Sequence, residues 1–125
     1  MELVRAALEI HQTLGPGLLE SVYEECMCRE LSLRGLEFKR QLSVPVEYKG
    51  IKLDCGFRID LVVADLVVVE IKAVEKVMPV HKAQLLTYLK IMNLKLGLLI
   101  NFNEEKVKNG THRVINGILE PLPIS

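Results

Sequence analysis

The spacing of hydrophobic positions changes period along the chain, and each change marks an element. Residues 2–14 place Leu3, Val4, Ala7, Leu8, Ile10 and Leu14 near the spacing of an amphipathic helix. Gly15-Pro16-Gly17 then breaks the chain, and Pro16 suits the first turn of a following helix. That helix is predicted over 17–34, with Leu18, Leu19, Val22, Cys26 and Leu33 available for one face and Gly35 as its stop. From Gln41 to Tyr48 the period drops to two, with Leu42, Val44, Val46 and Tyr48 in alternation and Pro45 marking an edge or a gap in the ladder. Lys49-Gly50 reads as a two-residue hairpin turn. Strands are predicted from about Ile51 to Val63 and from Leu66 to Ala73. Both are apolar on both faces near their shared turn, which places them in the middle of a covered sheet.

Helical spacing returns over 80–93, with Gln84, Leu85, Tyr88, Leu89 and Met92, and Leu96–Phe102 has the composition of a buried strand. Asn109-Gly110 and Asn116-Gly117 mark loops or a final short hairpin, and the tail from Glu120 is expected to be loose. The order is helix, helix, three-stranded meander, helix, strand. It predicts a mixed α/β domain with helices on both faces of the sheet.

At 125 residues the chain falls within the size of one domain, taken as 1–125. Half of the residues are hydrophobic and 26 % are charged, so a packed core is expected rather than disorder. With 5 % aromatics and no tryptophan, that core must be Val, Leu and Ile. The formal net charge of zero argues against a strongly basic nucleic-acid binder. The charge is nevertheless uneven. Residues 1–35 hold six acids and three bases, whereas Lys72 to Lys95 holds five lysines and one acid. The lysines form either a basic patch or a solvated helix face. Cys26 and Cys28 lie about 200° apart around a helix and cannot share a metal, so Cys26, Cys28 and Cys55 read as thiols in a reducing compartment. Met1-Glu-Leu-Val-Arg lacks the apolar core of a signal peptide, and no window has the length of a membrane span. These features predict a cytoplasmic protein with no membrane partner.

The chemistry concentrates between Asp60 and Lys72, where acids and a lysine interrupt a run of Val, Leu and Ile. A buried ionised carboxylate is costly unless it is paired or binds a metal. Glu70 and Lys72 are two apart and share a face of a strand. Asp65 lies midway between Asp60 and Glu70, so a hairpin centred on Asp65 sets Asp60 across from Glu70 and Arg58 across from Lys72. All four side chains would then share one face, and such a cluster invites a divalent cation. Simpler readings exist: Glu70 and Lys72 as a surface pair, Asp60 paired with Arg58, Glu20 as a first-turn helix acid, Tyr23 and Tyr88 as core aromatics.

Asp60 followed by Glu70-x-Lys72, with a helix before the meander, resembles the PD-(D/E)XK nuclease superfamily. Gly17-Leu-Leu-Glu20-Ser-Val-Tyr23 resembles the motif that names the GxxExxY protein family, small and mostly bacterial members of that superfamily. His11-Gln-Thr-Leu-Gly15-Pro-Gly17 and Arg58-Ile-Asp60-Leu look like the same family, and the likeness covers roughly residues 5–118. It implies a restriction-endonuclease-like core, with a mixed central sheet made of an antiparallel meander plus a further strand, flanked by helices. It also implies a metal-dependent nuclease cutting phosphodiester bonds in nucleic acid, DNA first. Asp60 and Glu70, with the Ile71 carbonyl and Glu20, would hold Mg²⁺ or Mn²⁺, and Lys72 would position or activate the attacking water. Asp60, Glu70, Lys72 and Glu20 are thereby the expected catalytic set. Gln84 and Tyr88 resemble the Q-x3-Y motif of the exonuclease-like branch and, with Tyr23 and Arg58, are expected to touch substrate. The alternative is a catalytically silent module of the same fold that binds nucleic acid or a protein partner. The small size leaves room for a second copy of the chain as that partner.

Overall fold

The structure, a computed structural model, describes residues 1–117, without the side chains of residues 54–56. The tail from Glu120 and the side chain of Cys55 lie outside the described residues. Two helices, α1 (Glu2–Leu14) and α2 (Glu20–Leu33), precede strands β1 (Phe38–Tyr48), β2 (Ile51–Val63) and β3 (Val67–Lys72). Helix α3 (Pro79–Met92) and β4 (Leu96–Asn101) follow, then a short 3-10 turn (Val107–Gly110) and β5 (Thr111–Ile115). The strands form a five-stranded sheet in chain order. It is antiparallel except between β3 and β4, which α3 joins as a parallel crossover. The meander and the further strand thus stand as the sequence predicts. The Asn-Gly pairs bracket an additional edge strand, β5, laid antiparallel on β4.

Turn chemistry sets the register. Lys49 and Gly50 both adopt positive φ, 47° and 84°, as a two-residue hairpin requires, and Tyr48 pairs with Ile51 across them. Ala64 and Asp65 also take positive φ, 55° and 53°, within the three-residue turn between β2 and β3, across which Val63 pairs with Val67. That register is symmetric about Asp65. Helix α3 begins on Pro79 and ends on Asn93, whose φ of 55° closes the helix in the left-handed conformation.

The sheet separates two cores. On one face α1 and α2 pack Leu3, Ala6, Ala7, Ile10, Tyr23, Met27 and Leu31 against Leu61, Val63, Val69, Ile71, Leu98 and Ile100. On the other, Leu85, Tyr88 and Leu89 of α3 meet Val44, Ile59, Val62, Val68 and Leu99. The predicted face of the second helix needs correction. The helix starts at Glu20 rather than 17, and Leu18, Leu19, Val22 and Leu33 are all exposed. Its buried ridge is Tyr23, Met27 and Leu31, at successive four-residue steps, with Glu24 beside them. Leu14 of α1 is likewise exposed, and the buried position near that end is His11, whose Nε2 hydrogen-bonds with the Glu104 carbonyl at 2.8 Å. Among the described residues no helix is long and apolar enough to cross a membrane.

Gly97 fixes how closely α3 approaches the sheet. A Cβ placed there would stand 2.8 Å from Cδ1 of Leu85, itself fully buried. Gly97→Ala is therefore expected to destabilise the fold by about 1–3 kcal/mol through overpacking. Urea unfolding of Gly97→Ala, Leu85→Ala and the double variant checks this: relief of the clash makes the double variant more stable than the sum of the two changes allows.

Candidate active site

The alternation of β2 breaks at Asp60. Ile59 packs on the α3 face, and Leu61, two residues on, packs on the α1/α2 face. One residue each would ordinarily separate positions of the same face. The matching disturbance in β1 is Gln41, which lies between the pairs Arg40↔Leu61 and Leu42↔Ile59 and has φ 51°. A non-glycine residue in that region is strained by about 1–3 kcal/mol. The β2–β3 ladder runs from Val63↔Val67 to Leu61↔Val69. One step further, where the strands part, Asp60 stands opposite Glu70. Its Oδ2 accepts a hydrogen bond from the Ile71 amide at 2.8 Å, and its Oδ1 faces Gln41 Nε2 at 3.5 Å. The twisted backbone turns the carboxylate into the fork between two strands.

Glu70 shares strand parity with Val68, which packs on the α3 face. The residue is only 6 % exposed, and Oε1 is buried with no hydrogen-bond partner among the described residues. Burial raises its pKa to about 9, Asp60 close by pushes it the same way, and Lys72 opposes the shift. At neutral pH, without a cation, Glu70 is protonated. An orphaned buried oxygen on one carboxylate beside a second carboxylate fits a hard divalent cation replacing that proton.

Lys72 is half-buried at the end of β3. The strand end is held from behind: the Lys72 carbonyl accepts the Phe102 amide at 2.9 Å. Fully buried Asn101 then clamps the chain beyond, its Oδ1 accepting from the Val74 amide at 3.0 Å and its Nδ2 donating to the Val74 carbonyl at 2.9 Å. From α3, the Tyr88 phenol is pushed up to about 12 by burial and by the Glu70 and Asp60 carboxylates, with the Gln84 side chain opposing. It therefore stays protonated and is able to donate. Gln84, one turn earlier on α3, lies within reach of the Tyr88 phenol.

A cleft of about 250 Å³ opens on the other side of the fork, lined by Glu20, Ser21, Glu24, Gln41, Asp60 and Ile71. Glu20 lies at its exposed rim, on the first turn of α2. Sequence reasoning missed Glu24 and Gln41, which link α2 to Asp60. Glu24 is 8 % exposed; its Oε1 accepts from Gln41 Nε2 at 2.6 Å, and its Oε2 accepts from Arg40 Nε at 2.8 Å. Arg40 reaches Glu25 as well, at 2.8 Å. The spacing of Glu20 and Glu24, one turn apart, was the available signal; nothing in the residue type announces the strain at Gln41.

Two expected residues are not brought to this cluster. Arg58 is not across from Lys72, because the ladder between β2 and β3 ends before it; its β1 partner is Ser43. Its neighbours Phe57 and Ile59 both pack toward α3, so Arg58 projects from the opposite face of the ribbon. Tyr23 is fully buried, with its ring stacked on Phe102 at 4.5 Å. Its hydroxyl donates to the Gly15 carbonyl at 2.6 Å and accepts the Leu18 amide at 3.1 Å. The side chain is used up in holding the Gly15–Leu18 loop, which leads into Glu20, and does not reach a substrate. Among the described residues no three or more His, Cys, Asp or Glu side chains group closely enough to hold a metal by themselves. A cation here would rest on the Asp60 and Glu70 pair with backbone and solvent oxygens.

Neither the curated proteins nor the solved structures hold a significant match to the chain. A family model does match, over residues 1–114, and its span includes the acid-bearing helix, the fork at Asp60, the Glu70-x-Lys72 strand and α3. With nearly all of the described chain inside that match, and a mixed sheet flanked by helices beneath it, the protein belongs to the PD-(D/E)XK nuclease superfamily.

Proposed function

We propose that the chain is a metal-dependent nuclease hydrolysing phosphodiester bonds in nucleic acid, DNA first, built as a single domain over 1–125 and lying in the GxxExxY branch of its superfamily. The observation that carries this reading is the buried, unpartnered Glu70 oxygen beside Asp60, within the field of Lys72. A fold gains nothing from such an arrangement, since a buried acid without a partner costs stability.

Asp60, Glu70 and the Ile71 carbonyl would hold Mg²⁺ or Mn²⁺, and Glu20 at the cleft rim would hold a metal-bound water rather than the ion itself. Bound there, the ion would polarise a phosphoryl oxygen and activate water for attack. Asp60 is oriented for this by the Ile71 amide and by the Glu24–Gln41 bridge. Lys72 would place its ammonium beside the nucleophile and offset the negative charge that grows on the phosphate. Tyr88 and Gln84 would donate hydrogen bonds to phosphate oxygens from the α3 side.

The experiment is calorimetric titration with Mn²⁺ in two buffers of different ionisation enthalpy, followed by incubation with plasmid and single-stranded DNA. Binding should release a proton, because Glu70 must ionise as the metal enters, and cleavage should require the metal. The second reading is a nuclease-fold module that binds nucleic acid or a protein partner, such as a second copy, without cutting. The zero net charge and the prior engagement of both Asp60 oxygens favour it. Absence of Mn²⁺ binding at millimolar concentration would select it.

A further inference from the structure

The hairpin of β1 and β2 extends beyond the sheet. Among the described residues β2 pairs with β3 over Leu61–Val63 alone, while Ile51–Leu53 and Phe57–Ile59 pair with β1. A two-stranded ribbon in water is marginal without a covered face, yet this one exposes Tyr48, Ile51, Leu53 and Phe57. Phe57 differs from the others in its position. Its ring leans on that of Tyr88, with centroids 5.5 Å apart and planes at 58°. Tyr88 is 4 % exposed and Phe57 40 %, so Phe57 is the outer member of the pair. Tyr88 in turn lies within the field of both Glu70 and Asp60. The exposed Phe57 ring is therefore separated from the carboxylate pair by a single buried side chain, Tyr88.

Charge narrows what could cover that ring. Lys72 stands at the carboxylates, on the strand face that Glu70 shares. An apolar peptide would leave that cation unmatched. A nucleic-acid strand matches both features, because each base offers a π-face for stacking and each phosphate a charge. In an intact duplex those faces are already stacked and out of reach.

We infer that Phe57 is a stacking platform for an unpaired nucleobase of the strand held at Asp60 and Glu70, so that the site takes single-stranded or frayed nucleic acid in preference to a closed duplex. This rests on the nuclease reading above. It adds the substrate class and a binding residue outside the acid, acid, lysine set.

The chain contains no tryptophan, so Phe57→Trp installs a sole indole reporter. The probe is a fluorescein-labelled oligothymidylate, followed by anisotropy in Ca²⁺, a hard cation suited to oxygen ligands. Phe57→Ala is expected to weaken its binding by about 5- to 100-fold, as loss of one stacked base implies. Phe57→Trp should retain affinity, and its emission should be quenched as unlabelled oligothymidylate saturates the protein, with a blunt duplex of equal length quenching it far less. Unchanged affinity of Phe57→Ala overturns the inference. So does indole emission that ignores bound oligonucleotide, or a duplex that quenches equally. A ring whose loss alters only self-association in sedimentation belongs to an interface between copies, which also overturns it. Mn²⁺ binding separates the two levels: normal binding beside any of these failures removes the stacking platform alone, whereas a wild-type chain that binds no Mn²⁺ removes the nuclease reading and the platform together.

Discussion

Lys72→Met is expected to leave Mn²⁺ binding near the wild-type level and to lower metal-dependent DNA cleavage by about 10²–10⁴-fold, the range for loss of a positioned proton-transfer or charge-stabilising group. The side chain is half-buried on the strand face it shares with Glu70, and Met keeps much of its length and apolar stem while removing the ammonium. Lys72 has no place among the oxygen ligands, so its loss should fall on the rate rather than on metal affinity. Asp60→Asn should behave differently. It removes a carboxylate from the metal set while keeping an oxygen that could accept the Ile71 amide, so metal affinity and rate should fall together. Single-turnover cleavage with calorimetry on the same samples separates the two patterns. Wild-type cleavage rates in both variants would assign the activity to another site or to a contaminant.

The difference between these variants also shows which parts of the site could be read before the fold. Asp60 comes beside Glu70 because the register that ends at Leu61↔Val69 is symmetric about Asp65, and that much could be counted from the sequence. Glu70 and Lys72 lie on a regular strand, where alternation holds. Arg58 was misplaced by the same counting, because the count assumed a ladder running past Asp60, whereas the strands fork there. The fork comes with a change of strand parity at Asp60 and a left-handed Gln41, and both follow from tertiary packing that a single sequence does not announce. Helix α2 failed for a related reason. Its apolar residues outnumber the places available in the core, and the four-residue ridge of Tyr23, Met27 and Leu31 won over Leu18, Leu19, Val22 and Leu33. Tyr23 belonged to that ridge, and its hydroxyl then served the adjoining loop rather than a ligand. Glu24, taken into the same ridge, is buried only because Arg40 and Gln41 meet it there.

Metal-free protein is expected to lose stability as pH rises from about 5 to 9, and Glu70→Gln is expected to abolish most of that loss. The sign follows from proton binding. Glu70 in the fold holds its proton to about pH 9, against an ordinary value of 4.5. Below 4.5 both folded and unfolded chains carry the proton, and Glu70 makes no difference between them. Through the window the unfolded chain releases the proton while the fold retains it, so stability falls by at most about 1.4 kcal/mol per pH unit and levels off once the fold also ionises. For a chain of this size each kcal/mol is worth about 4 °C in Tm. Thermal melts in chelator should therefore show a steep decline between pH 6 and 9 in the wild type and a much flatter profile in Glu70→Gln, which is the more stable protein at pH 9. Mn²⁺ should act in the opposite direction, restoring the wild type at high pH by binding only the fold and doing little for Glu70→Gln. A wild-type Tm that is flat in chelator across this range would mean that Glu70 already ionises in the fold, and the cation would then displace no proton. A residue that lowers the stability of the empty protein and is relieved by a cation is better explained by the cation's chemistry than by the demands of packing.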